Sequence, residues 1–299
     1  MSKIRETGHL LTERVNPNTL EIDTYSSEKI IETIISEDSI IVGAISEQKA
    51  NISQAVELIV ESLGNKGRLF FVGAGTSGRL GVLEAAECPP TFGTEPELIQ
   101  GIIAGGYGAI IKSIEGAEDS TETSVEDLNK MSLSDKDIVV GIAASSSTPF
   151  VKSGLEYAKN TGCKTVLITC NPTEDVTPDI SISLLVGPEV IVGSTRLKAG
   201  TATKMVLNML TTASMILLGK TYGNLMVDVQ PKSSKLKDRA IRIVMELCEI
   251  ERSSAQKLLE DSGWNVKASV LMHKKNISLD ESLNILEQNE GFLKKALEL

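Results

Sequence analysis

The chain has 299 residues and a formal net charge of −10 at pH 7, with 30 Lys and Arg against 40 Asp and Glu. At about twice the ~150 residues usual for one domain, it is expected to form a large domain with a smaller companion. A hydrophobic share of 41% and a mean hydropathy of +0.03 exclude a disordered or membrane-embedded chain, and the acidic balance with one Trp, four Tyr and five Phe argues against nucleic acid as a partner.

Residues 1–25 carry Asn16-Pro17-Asn18 and little periodicity, which predicts an extended arm ordered only by lying on another surface. Met1 to Leu10 lacks an apolar export segment, and Cys88, Cys163, Cys170 and Cys248 show no paired spacing, so reduced thiols in a cytoplasmic protein are expected. Ser26 or Ser27 can cap a helix with Ile30, Ile31, Ile34 and Ile35 on one face, and a second helix is predicted to end near Gly64. Apolar runs then follow at Arg68–Val72, Leu98–Ala104, Asp137–Ala143, Lys164–Thr169 and Ile180–Val186, separated by amphipathic stretches. Runs apolar on both faces imply parallel strands covered on both sides, a doubly wound α/β sheet with its functional loops at the strands' C-terminal ends. A long helix is predicted over Lys198–Leu218, with a boundary near Pro231 and five short helices beyond it. The expected division is an arm with helices over 1–64, an α/β domain over 65–231 and a small helical bundle over 232–299.

With only two histidines, His9 and His273, proton transfer falls to carboxylates, and no His, Cys and carboxylate side chains show metal-ligand spacing. The first strand is followed by Gly73-Ala74-Gly75-Thr76-Ser77-Gly78-Arg79, a G-x-G-x-x-G loop. No ribose-binding carboxylate ends the second strand at Ile102-Ile103-Ala104-Gly105-Gly106, and Arg79 replaces the Lys of a nucleotide-binding P-loop. What survives is an anion cradle of glycine amides with the Thr76 and Ser77 hydroxyls. A second hydroxyl-rich loop, Ala144 to Pro149, follows the third strand, where Pro149 can open a helix. Either cluster alone also reads as a helix cap. Two on one sheet edge point to one phosphate held by both, and to a phosphosugar rather than a nucleotide.

Glu87 precedes Cys88-Pro89-Pro90, which predicts that its helix ends there, with an ionised carboxylate disfavoured by the macrodipole as a general acid requires. Glu118 lies in Glu115-Gly116-Ala117-Glu118-Asp119; the plainer readings are a solvated helix-end glutamate for Glu87 and, for Glu118, a neighbour of an Asp119 cap with Glu122 as its partner. A third polar cluster, Gly193-Ser194-Thr195-Arg196-Leu197-Lys198, is either a capped helix start or a source of cations beside an anionic ligand.

These stretches, with Gly73–Gly81, Ala86–Thr91, Ile103–Gly106, Glu115–Ser120, Gly193–Thr201 and Asn224–Asp228, resemble the N-acetylmuramic acid 6-phosphate etherases, bacterial members of the SIS (sugar isomerase) superfamily. The resemblance covers nearly the whole chain. It implies a five-stranded parallel sheet of SIS type and a lyase that releases D-lactate from N-acetylmuramic acid 6-phosphate, leaving N-acetylglucosamine 6-phosphate, in cell-wall sugar recycling. It implies no metal or organic cofactor, and a homodimer with the active site near the subunit interface. The family's two catalytic glutamates correspond to Glu87, as proton donor to lactate and later activator of water, and Glu118, as the base at C2. Phosphate would be held by Ser77, Ser145 and Thr148, with Thr76 beside them and Ser194 and Lys198 near the substrate.

The chain departs from that pattern where the family usually has Gly and then Arg or Lys, and here has Ser146 and Ser147. Serine lacks the left-handed freedom of glycine, and Ser147 supplies no cation, so weaker phosphate affinity or a shifted preference is expected. Two other functions fit the fold: a sugar-phosphate-sensing regulatory protein, which has no use for two proton-transfer carboxylates, and an aldose-ketose isomerase, which needs no acid at a C3 ether.

Overall fold

The structure, a computed structural model, describes residues 6–173 and 176–298; the first five residues of the expected arm lie outside the described residues. The chain divides into two compact units, residues 1–86 with 97–211, and residues 87–96 with 212–299.

The first unit begins with the arm, folded into short 3-10 turns at Leu11–Glu13, Pro17–Thr19 and Ile22–Thr24. Helices α1 (Ser27–Asp38), α2 (Ile41–Glu47) and α3 (Lys49–Gly64) follow, so the predicted pair is three helices. Ser26 caps α1 by accepting the Lys29 amide. The isoleucine face of α1 does not enter the core: Ile30 and Ile34 are half-buried, while Ile31 and Ile35 are exposed.

Strand β1 (Leu69–Gly73) leads into α4 (Gly75–Phe92), β2 (Ile99–Ile103), α5 (Gly108–Ile111), α6 (Thr121–Lys130), β3 (Ile138–Ile142), α7 (Pro149–Thr161), β4 (Lys164–Thr169), β5 (Ile180–Ser183) and α8 (Lys198–Leu217). All five strands are parallel, in the order β2-β1-β3-β4-β5. Every residue of β1 and β3 is buried, as expected of central strands covered on both faces. Phe70, Val72 and Val139 pack with Leu128 of α6 and Phe150 and Leu155 of α7. Pro149 occupies the first position of α7, and Gly162 ends that helix in the left-handed region at φ +94°.

The strand order fixes where a ligand fits. From β1 the chain crosses to β2 on one side and then returns to β3 on the other, which makes the C-terminal ends of β1 and β3 the switch point of the sheet. Gly73 and Ile142 are register partners there. The opposite ends are pinned by Asp137, whose buried carboxylate accepts the Arg68 amide at 2.7 Å, Arg68 Nη2 at 2.8 Å and the Ser134 amide at 2.8 Å. Burial alone would raise the Asp137 carboxyl, but the Arg68 guanidinium and these amides hold it below its ordinary value.

The second unit is helical, with α9 (Ser234–Cys248), α10 (Arg252–Asp261), α11 (Val266–Lys275), α12 (Leu279–Gln288) and α13 (Leu293–Glu298). Val244, Leu259, Leu271, Leu286 and Leu293 meet in its core. Lys267 is buried there with its three ammonium protons placed on Asp228 Oδ2 at 2.6 Å, the Gly219 carbonyl at 2.9 Å and the Gly291 carbonyl at 2.7 Å. All four cysteines are buried, and none of them forms a disulfide.

Candidate active site

The loops after β1 and β3 both open helices, and both reach one cavity of about 390 Å³ in the first unit. The approach between β1 and α4 requires glycine: a Cβ on Gly78 would lie 2.6 Å from the Gly73 carbonyl oxygen. Ser77 lines the cavity from the start of α4, and Ser145, Ser147 and Thr148 line it from the loop before α7. Thr148 takes the N-cap position of α7 without making a side-chain cap bond; its Oγ1 lies 3.4 Å from Ser145 Oγ, which also accepts the Ser147 amide at 3.4 Å. The capping alternative therefore does not account for the Thr148 hydroxyl.

Ser146 between them is buried and left-handed, at φ +63°. The expectation that serine forgoes the glycine conformation is corrected: the loop keeps that conformation and carries the strain of a Cβ in it.

Glu118 and Asp119 complete the rim from a 3-10 turn at Ala117–Asp119. Asp119 is not the cap of α6. Ser120 is, accepting the Thr123 amide, which leaves Glu118 and Asp119 on the cavity side of the turn.

The remaining wall is the arm, through Thr7, Leu10, Thr12 and Glu13. Buried Asn171, just beyond β4, fixes it there: its Oδ1 accepts the Leu11 amide at 2.6 Å, and its Nδ2 donates to Thr12 Oγ1 at 3.0 Å and to the Ala144 carbonyl at 2.7 Å. The Gly193 amide donates to the Thr12 carbonyl, and Gly193 and Thr195 also line the cavity.

Lys198 is not brought to the cavity. Its ammonium is buried and donates to Glu37 Oε2 at 2.6 Å, and Glu37 also accepts from Asn16 and Asn18 of the arm. Burial alone would raise the Glu37 carboxyl; the Lys198 ammonium and the two asparagine amides outweigh it and hold the group below its ordinary value. The amide ends of Lys198 and Ala199 are taken by Glu189, which is fully buried and whose carboxyl burial pushes upward. Thr76 and Ser194 are half-buried and do not line the cavity; the Thr76 methyl points toward Gly200 of α8.

Glu87 lies in the second unit and is exposed. Its expected place in the last helical turn is corrected, because α4 continues through Pro89 and Pro90 to Phe92. Proline keeps a helical φ, and the helix runs on despite the two hydrogen bonds lost and the carbonyls crowded by Pro89 and Pro90; its end is set by Gly93, left-handed at φ +63°, whose amide closes on the Pro89 carbonyl at 3.0 Å.

Of the third polar cluster the cavity takes Gly193 and Thr195, and the residues the sequence did not mark are Thr7, Thr12 and Glu13, since nothing in an aperiodic arm says which side chains will face a distant sheet edge. Among the described residues no three His, Cys, Asp or Glu side chains gather as a metal site, and no helix is long and apolar enough to cross a membrane.

Residues 51–159 match the family model of the glucokinase regulatory protein N-terminal SIS domain. The chain is similar over nearly its whole length to proteins named N-acetylmuramic acid 6-phosphate etherase. That of Trichodesmium erythraeum is 48% identical, covering 99% of this chain and 97% of the relative. That of Gloeobacter violaceus is 49% identical, with coverage of 99% and 97%. The etherase of Clostridioides difficile is 48% identical, with coverage of 98% and 97%.

Proposed function

Because this chain belongs to the N-acetylmuramic acid 6-phosphate etherase family, we propose that it is a lyase that cleaves the D-lactyl ether of N-acetylmuramic acid 6-phosphate, giving N-acetylglucosamine 6-phosphate and D-lactate. The observation that carries this reading is the switch-point cavity, where the hydroxyls of Ser77, Ser145 and Thr148 share one volume with the carboxylate of Glu118.

In the open-chain sugar the C2 proton is α to the C1 aldehyde and therefore acidic. Glu118 removes it, the electron pair moves toward C1, and the enolate expels the lactyl oxygen from C3. Glu87 protonates that oxygen, then takes a proton from water as it adds to C3, and the C2 proton returns. The net change is hydrolytic, without oxidation or reduction, so acid and base suffice. Phosphate lies against Ser77, Ser145 and Thr148. The enzyme works as a cytoplasmic homodimer in amino-sugar recycling, with residues 232–299 as its helical appendage; sedimentation of the purified chain at micromolar concentration reads the dimer.

The test is D-lactate release from N-acetylmuramic acid 6-phosphate. The native chain releases it, and Glu118→Gln and Glu87→Gln each slow it by about 10²- to 10⁴-fold. Activity surviving both substitutions overturns the residue roles. Sugar-phosphate binding without release identifies a sensor instead, and C2 exchange without release an isomerase.

A further inference from the structure

The switch-point cavity presents a charge problem. Three carboxylates line it, Glu13, Glu118 and Asp119, and no Lys or Arg does, yet the proposed substrate brings a phosphate and a lactyl carboxylate. Like charges brought together in a partly enclosed cavity repel, and hydroxyls and helix amides bring no full positive charge to offset them. The basic side chains nearby in sequence are engaged or turned out: Lys198 is bound to Glu37, Arg79 donates to the Ile110 carbonyl at 3.1 Å, and Arg196 is exposed.

A second cavity of about 590 Å³ adjoins the first, sharing Thr7, Leu10, Ser147 and Pro149 with it. Its ionisable lining is Glu6, His9, Lys152 and Glu156. Lys152 is half-buried and, among the described residues, has no carboxylate within ion-pair distance, although Glu156 lies one helical turn away. The Lys152 amide donates to the Thr148 carbonyl at 3.0 Å, which stacks the residue one turn beyond Thr148 on the same face of α7. A cation in the first turn of a helix is opposed by the macrodipole, and an anion bound at that helix start reverses the balance.

We propose that Lys152 is the phosphate-neutralising cation of this enzyme, acting from the adjoining cavity on the phosphate held by the Ser145–Thr148 loop. This rests on the reading of the switch-point cavity as the phosphosugar site. Ser147, which lines both cavities, then leaves a passage for the ammonium where a larger side chain would stand.

The experiment measures steady-state kinetics on N-acetylmuramic acid 6-phosphate together with calorimetric binding of N-acetylglucosamine 6-phosphate, which has the phosphate but no lactyl group. Lys152→Met and Lys152→Gln are expected to raise KM about tenfold with kcat within twofold, and to weaken binding of the product by the same factor, while Lys152→Arg preserves both. Ser147→Arg added to Lys152→Met is expected to restore affinity by returning a cation to the shared wall. Unchanged KM and product affinity overturn the proposal. So does a raised KM with unchanged product affinity, which assigns Lys152 to the lactyl carboxylate. Should the native chain bind the product but release no D-lactate, the etherase reading fails while the binding comparison still decides the role of Lys152.

Discussion

Ser146 carries backbone strain at the point where the candidate phosphate loop turns. A non-glycine residue at φ +63° costs about 1–2 kcal/mol, while glycine there costs less than about 1 kcal/mol of extra unfolded-chain entropy. Ser146→Gly is therefore expected to stabilise the protein by roughly 1 kcal/mol, with KM for the phosphosugar unchanged or lower. Urea midpoints of the two forms decide it, and a less stable glycine variant would show that the Ser146 side chain is needed. Sequence marked this position as unusual but not its conformation, because the turn is set by the closure of Ser146 onto the Ala143 carbonyl, a 2.9 Å bond that local preference opposes. The helix end after Glu87 failed to show for a related reason: a left-handed Gly93 four residues beyond Pro89 governs it. Lys198 misled differently, since a lysine in a polar helix start looks the same whether it faces solvent, an anion or Glu37.

At the scale of elements, the five strands were legible to within a few residues, most plainly the central β1 and β3, which are buried throughout and carry only apolar side chains and glycine, while β2 and β5 at the edges admit Gln100, Ser181 and Ser183. The hydroxyl loops followed from the rule that ligands sit at the strands' C-terminal ends. The arm was legible only as aperiodic chain. Its place depends on hydrogen bonds between residues some 160 positions apart, Leu11 and Thr12 to Asn171, which no local pattern encodes. Asn171 thus makes the arm into a cavity wall. Asn171→Ala removes these bonds and leaves the part-buried Leu11 amide without that partner, at about 1–3 kcal/mol, while the Ala144 carbonyl keeps the Cys170 amide and the Thr169 hydroxyl. Hydrogen exchange at Leu11 and Thr12 is expected to accelerate, and KM for N-acetylmuramic acid 6-phosphate to rise severalfold or more. Faster exchange with an unchanged KM would mean that the arm does not touch the substrate.

For the whole molecule, acid acts through two opposed effects. The net charge of −10 at pH 7 falls toward zero near the pI of about 4.9, which relieves self-repulsion as pH drops. Glu189, raised by burial, reinforces that trend because the folded state binds its proton more readily than the unfolded chain does. Asp137 and Glu37 are held low, so their stabilisation is fully present above the ordinary carboxylate range and is lost as pH falls through and below it. Stability is therefore expected to stay level or rise from pH 7 to about 5, and to drop below about pH 4, where the depressed pair takes up protons. Asp137 is the stronger lever, since its carboxylate ties the starts of β1 and β3 together through Arg68. Asp137→Asn is expected to cost roughly 3 kcal/mol at pH 7 and to flatten the acid limb of a urea-midpoint profile. An acid limb as steep in that variant as in the native chain would place the origin of acid unfolding elsewhere, with Glu37→Gln the next substitution to measure.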